Sequence, residues 1–137
     1  VNDGNRALDQ FIPNVNMTGY HFLSPDAGSL KKVNKLAIKY KPESVIQCTK
    51  HRDIKTGDIT GTEVFNIPKD SYPILIIDDI CEGGRTFIEI AKILKKDNPE
   101  RRVILCVTHG FFSAGLDVFD GLINRIFTRE GEIKNDK

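Results

Sequence analysis

The sequence has no long hydrophobic run, little cysteine and no excess of charge of either sign. Its longest uninterrupted apolar stretch is Tyr72–Ile77, far short of the about 20 residues that a helix needs to cross a bilayer. The opening VNDGNRALDQ contains no apolar core of a secretory signal. Cysteine occurs at Cys48, Cys81 and Cys106, an odd number without the spacing of a metal site. Reduced thiols and a cytoplasmic setting are the expectation. The 20 basic and 19 acidic residues leave a net charge of +1, which supplies no broad field for nucleic acid or an anionic membrane. Neither is expected as a partner. A local phosphate site remains open, because it needs only a few backbone N–H groups and one or two cations.

The 137 residues suit one domain. Residues 1–19 show no clear period and read as a connector, 20–130 as the domain, and 131–137, GEIKNDK, as a polar tail. Tyr20–Leu23 is a short strand candidate. Leu30, Val33, Leu36, Ala37 and Tyr40 then recur at helical spacing, with five lysines, Lys31, Lys32, Lys35, Lys39 and Lys41, read as a solvated face. Ser44–Lys50 reads as a strand and the polar stretch to Phe65 as a loop or long hairpin turning near Gly57. Pro73–Asp79 is a continuous apolar run ending in two acids, as expected of a strand buried on both faces. Phe87, Ile90, Ala91 and Leu94 mark a second helix, Arg102–Thr108 another strand, Ser113–Asp120 a short helix and Arg125–Thr128 a last strand. This alternation predicts a three-layer α/β domain, a mostly parallel sheet of about five strands with helices on both faces. Ligands of such sheets bind at the C-terminal ends of the strands.

The chemistry-bearing residues fall at those ends. Asp78 and Asp79 close an apolar strand, where carboxylates need partners. They can accept hydrogen bonds from sugar hydroxyls or hold Mg²⁺. Glu82-Gly83-Gly84-Arg85-Thr86 leads directly into a helix. Its glycines let backbone N–H groups converge, and the helix terminus adds further N–H groups and positive potential, a cradle for a monophosphate. The Thr86 hydroxyl can donate to a phosphate oxygen and Arg85 can reach one as a cation. The plainer alternative is a strand–turn–helix with Thr86 as cap. Lys50 and Arg52, two apart after the second strand candidate, are expected to point the same way, with His51 pointing elsewhere. Two cations so placed suit phosphoryl or diphosphoryl transfer.

The segment Ile74–Thr86, ILIIDDICEGGRT, resembles the phosphoribosyl-diphosphate (PRPP) binding signature of type I phosphoribosyltransferases and ribose-phosphate diphosphokinases (PRPP synthetases). The resemblance implies the type I phosphoribosyltransferase fold, with Asp78 and Asp79 on the ribose hydroxyls and Glu82–Thr86 on the 5-phosphate. Gly83 departs from the family loop, where Thr or Ser is common, and Arg85 stands where a small residue is common. Three further segments are similar to the C-terminal half of diphosphokinases. LSPDAG, 23–28, implies backbone contacts from Ala27 and Gly28 to a diphosphate and an Mg²⁺ ligand in Asp26, although Pro25-Asp26 also suits a plain turn and helix cap. Lys50-His51-Arg52 resembles the base of the family's catalytic loop, and Thr108–Ser113, THGFFS, the segment after the fourth strand, with Phe111 and Phe112 read as packing residues. The resemblance therefore implies transfer of diphosphate from MgATP to ribose 5-phosphate, giving PRPP and AMP. It implies Mg²⁺ as cofactor, ATP or diphosphate and ribose 5-phosphate or PRPP as ligands, and a homo-oligomer. A chain that begins with Val1 and has no ATP-binding N-terminal domain is expected to be part of a longer enzyme. A phosphoribosyltransferase acting on a nucleobase and a non-catalytic PRPP-binding regulator are the alternatives.

Overall fold

A computed structural model describes residues 19–81 and 83–136 of the chain. The elements run β1 His21–Ser24, α1 Leu30–Tyr40, β2 Ser44–Arg52, β3 Ile59–Val64, β4 Ile74–Cys81, α2 Arg85–Lys96, β5 Val103–Gly110, a 3₁₀ turn Asp117–Phe119, β6 Arg125–Thr128 and β7 Gly131–Asn135. They form one seven-stranded sheet in the order β3-β2-β1-β4-β5-β6-β7. The strands from β2 to β6 in that order pair in parallel, and β3 and β7 close the two edges antiparallel. The expected parallel sheet of about five strands is present, widened by two edges.

Side-chain alternation along the central strands builds two cores, one on each face. Ile74 and Ile76 of β4 join Val103, Leu105 and Val107 of β5 under Phe87, Ile90, Ala91 and Leu94 of α2. The residues between them, Leu75, Ile77, Ile104 and Cys106, pack with Val33, Leu36 and Tyr40 of α1 on the opposite face. An apolar run with no polar alternation is what a strand covered on both sides requires. Each fully buried Ile or Leu contributes on the order of 1.5–3 kcal/mol by its removal from water.

Two expectations are corrected. The segment 113–120 forms only the 3₁₀ turn Asp117–Phe119, because Phe112 and Gly115 both sit at positive φ, +47° and +82°, which a helix does not accommodate. Residues 131–135 of the expected polar tail form β7. Their sequence is polar because charge pairs hold the edge: Arg125 Nε–Glu132 Oε2 at 2.5 Å and Lys134 Nζ–Asp120 Oδ1 at 2.7 Å. The expected connector, apart from Gly19, lies outside the described residues. Among them, no helix is long and apolar enough to cross a membrane.

Candidate functional site

The strand order reverses at β1. The chain goes from β1 through α1 to β2 on one side, then returns to place β4 on the other, and such a reversal opens a crevice at the C-terminal strand ends. Its depth follows from the shortness of β1. β1 pairs with β4 only as far as Leu23↔Ile76 and with β2 as far as Ser24↔Gln47. Beyond those points β2 and β4 run on without β1 between them, each still paired with its outer neighbour, and Lys50 and Asp78 border one cavity there.

The pleat decides which side chains enter. In β2, Ile46 and Cys48 belong to the α2-side core, so Lys50 and Arg52 continue that face. In β4, Ile74 and Ile76 do the same, which puts Asp78 on the α2 side. A cavity of about 270 Å³ is lined by Lys50, Asp78, Ile80, Gly83, Gly84, Arg85, Thr86 and Phe87. Arg52 lines a neighbouring cleft of about 580 Å³ with Gly57, Asp58, Arg85, Thr86 and Glu89. Arg85 and Thr86 border both. The two cations engage different partners. Lys50 Nζ lies 3.7 Å from Asp26 Oδ2, while Arg52 Nη1 donates to the Gly57 carbonyl at 3.0 Å. The Lys-x-Arg pair therefore shares a face without converging on one point. His51 turns to Glu63, with Nε2 and Oε1 2.5 Å apart.

Gly84 is the N-cap of α2, at φ +88°, and no side chain caps the helix. The plain cap reading for Thr86 is thereby corrected, because Thr86 is already the second residue of α2. A Cβ on Gly84 would stand 2.3 Å from the Phe119 ring, so conformation and space both demand glycine. Gly83 differs. Its added Cβ would meet nothing closer than Ser113 Oγ at 3.7 Å. The uncapped first turn of α2 keeps its N–H groups available, at the positive end of the helix dipole. Arg85 is 88% exposed and its Nε lies 3.6 Å from Glu89 Oε1. Glu82 lies outside the described residues.

The two aspartates diverge. Asp79, one residue on, continues the opposite face of β4 and meets α1, where Lys32 Nζ donates to Asp79 Oδ1 at 2.5 Å. Lys32 is the residue that the solvated-face reading missed. The signal was the i, i+4 row Lys32, Leu36, Tyr40, whose last two members are buried. At the first turn of a helix that follows β1, that row reaches over the strand ends. Asp78 Oδ1 accepts the Asp79 N–H at 2.8 Å. Burial, reinforced by the Asp26 and Asp79 carboxylates and opposed by that N–H and by Lys50, pushes the Asp78 carboxyl above the usual carboxylate range.

Asp26 Oδ1 accepts the Ser29 N–H at 2.9 Å, ordering the turn before α1, and Ala27 and Gly28 are exposed in that turn. Among the described residues no three acids, histidines or cysteines cluster as a self-sufficient metal cage. The donors that are present suit Mg²⁺ in its usual form, held by one or two carboxylates and completed by water and substrate phosphate. Asp26 and Asp79 both add to the raising of the Asp78 carboxyl, as neighbouring carboxylates that a hard cation would relieve do. His109 stands elsewhere, beside a hollow formed with Thr108, Phe111, Thr128 and Arg129. Of the two phenylalanines read as packing residues, Phe112 packs on the α2-side core and Phe111 is 69% exposed.

A mostly parallel sheet whose strand order reverses beside a glycine-led helix N-terminus belongs to the doubly wound α/β class. Within that class the chain belongs to the phosphoribosyl transferase domain family, which matches residues 3–130, and its fold is the type I phosphoribosyltransferase fold. It is 29% identical over 103 residues to a ribose-phosphate pyrophosphokinase of Mycoplasmopsis pulmonis, across 74% of this chain and 31% of that protein. It is 27% identical over 114 residues to one from Sulfolobus acidocaldarius, across 82% and 38%. The fold superposes on phosphoribosylpyrophosphate synthetase from Mycobacterium smegmatis with a TM-score of 0.55 and 22% identity, over 68% of this chain and 28% of that one. The chain thus spans about a third of the length of the pyrophosphokinases it matches.

Proposed function

We propose that this domain binds ribose 5-phosphate and PRPP, and that it supplies the ribose-phosphate side of a ribose-phosphate diphosphokinase reaction. The observation that carries the reading is the single cavity bordered by Asp78, Lys50 and the Gly83–Thr86 turn at the strand-order reversal. The pyrophosphokinase names of the relatives support this branch of the family.

In the reaction the anomeric hydroxyl oxygen of ribose 5-phosphate attacks the β-phosphorus of ATP. The bond from that phosphorus to the oxygen bridging to the α-phosphorus breaks, AMP leaves with the electron pair, and the hydroxyl proton passes to solvent. No protein nucleophile is needed, so positioning and charge neutralisation do the work. The Gly83–Thr86 amides and the Thr86 hydroxyl seat the 5-phosphate. Asp78 and Asp79 take the ribose hydroxyls from the two faces of β4. Lys50 and Arg52, with Arg85 between their two hollows, meet the charge that develops on the transferring diphosphoryl group, and Ala27 and Gly28 offer backbone N–H groups to it. Asp26 would hold Mg²⁺, which supplies charge neutralisation on the phosphate oxygens when bound.

Calorimetric titration with ribose 5-phosphate and PRPP tests the reading. Saturable binding that Asp78→Asn and Thr86→Ala each weaken at least about tenfold is expected. Absence of binding by the wild-type chain refutes it. The family also contains transferases that consume PRPP, so ATP-dependent AMP release is to be measured beside diphosphate release from PRPP with a panel of purines, pyrimidines and orotate. Diphosphate release with one base, without AMP release, would replace the diphosphokinase reading by phosphoribosyl transfer.

A further inference from the structure

The turn after β5 is locked to the glycine loop by two aromatic rings seated in two glycine notches. A Cβ on Gly110 would stand 2.1 Å from the Phe112 ring, and one on Gly84 2.3 Å from the Phe119 ring. Those rings meet edge to face with centroids 6.0 Å apart and planes at 86°. Phe112 holds φ +47°, a left-handed conformation that a bulky side chain adopts only when its surroundings impose it. The residue that this strut delivers is Ser113. Its Oγ lies 3.7 Å from the point where a Gly83 side chain would begin, and Gly83 borders the cavity shared with Lys50, Asp78 and Thr86. Gly83, unlike Gly84, has room for a side chain: its added Cβ would meet nothing closer than 3.7 Å. Ser113 Oγ is the atom that lies nearest the bare side of Gly83.

We propose that Ser113 donates its hydroxyl to the phosphate seated on the glycine turn, supplying from a separate segment a contact that the loop itself lacks at Gly83. The ligand class is a phosphate monoester dianion, and the proposal rests on the ribose-phosphate reading of the cavity. It makes the ring strut a positioning device, since Phe112 and Phe119 act only through where they hold Ser113 and Gly84. A hydrogen bond to a charged group supports a loss of about tenfold in affinity when the donor is removed from a partly exposed site.

The test uses the isotopically labelled full chain, titrated separately with inorganic phosphate and with ribose 5-phosphate while the Gly83–Thr86 amide resonances are followed. Ser113→Ala, a change at an exposed side chain, is expected to weaken both ligands about tenfold. Adding Gly83→Ser in the same chain is expected to recover most of that loss by placing a hydroxyl on the loop. Ser113→Ala chains that bind inorganic phosphate within about twofold of wild type overturn the proposal, even if wild type binds ribose 5-phosphate as the functional reading requires. Conversely, wild type that binds inorganic phosphate through these amides and loses it on Ser113→Ala, yet gains nothing from the pentose, supports Ser113 and removes the ribose reading.

Discussion

Replacing Gly84 with alanine separates two costs that the structure locates at one atom. The first is conformational. At φ +88° a residue with a Cβ loses roughly 1–2 kcal/mol relative to glycine. The second is steric. The new methyl would lie 2.3, 2.7 and 3.5 Å from three atoms of the Phe119 ring, and Phe119 is fully buried. Forcing an extra methyl into a packed site costs about 1–3 kcal/mol. The two together predict a loss of about 2–5 kcal/mol, a large share of a domain stability of about 5–15 kcal/mol. Urea unfolding of Gly84→Ala, Phe119→Leu and the double variant reads both parts. Phe119→Leu frees space at the clash but leaves φ untouched. The double variant should therefore recover only the steric share, with a coupling of about 1–3 kcal/mol. Gly83→Ala is the control. Its Cβ meets nothing closer than 3.7 Å, and a change within about 0.5 kcal/mol is expected. A Gly84→Ala chain as stable as wild type, or one fully rescued by Phe119→Leu, would refute the account of why this loop carries glycine at that position.

Lys32→Met should leave stability within about 1 kcal/mol, because both partners of the Lys32–Asp79 pair are well exposed. It should nonetheless weaken ribose 5-phosphate binding several-fold by releasing Asp79, with Lys32→Arg retaining most affinity; equal calorimetric affinities for Met and wild type would remove Lys32 from the site. Asp78 predicts the opposite separation. Its carboxyl is raised by burial and by Asp26 and Asp79, so its favourable contribution is present below the ordinary carboxylate pKa and is lost as pH rises through the raised value. Asp78→Asn keeps an oxygen for the Asp79 N–H and should make the unliganded chain more stable than wild type near pH 7, with the difference vanishing near about pH 3. Thermal unfolding across pH checks this, and an Asn variant less stable at pH 7 contradicts it. Lys50→Ala together with Arg52→Ala should lower any AMP or diphosphate release by at least about a hundredfold; unchanged turnover would exclude both cations from the chemistry.

The central strands and both helices were legible because their pattern is local. The unbroken apolar run Ile74–Ile77 and the 3.6-residue rows of α1 and α2 state their own burial. Of the two edges, β3 was legible as the long-hairpin alternative turning near Gly57, and β7 was not. β7 is a polar strand whose stability comes from pairing with β6 and from Arg125–Glu132 and Lys134–Asp120, contacts with no trace in the periodicity of 131–135. The short helix expected at 113–120 failed because its helical-looking residues follow Phe112 at φ +47°, a conformation imposed by the Gly110 notch and the Phe119 ring rather than by the intrinsic preference of Phe112.

The candidate cavity shows the same division. The residues that line it stand in the sequence as two strand ends and a glycine turn, but their directions are set by the sheet. Adjacent carboxylates at a strand end suggest one pair acting on one edge of a ligand. In β4 the pleat sends Asp78 toward Lys50 and the glycine turn and Asp79 toward Lys32 of α1. Their environments then differ in kind. Asp78 is partly buried with its carboxyl raised, and Asp79 is exposed against an ammonium group. A ribose seated across the end of β4 would meet on one side a carboxyl raised by burial and on the other an exposed one beside Lys32. Asp79→Asn, which leaves the raised Asp78 carboxyl as the remaining acid, should consequently bind ribose 5-phosphate more tightly as pH rises through the raised Asp78 value. A ribose 5-phosphate affinity of Asp79→Asn that does not change with pH across the carboxylate range would mean that the raised Asp78 carboxyl has no bearing on binding.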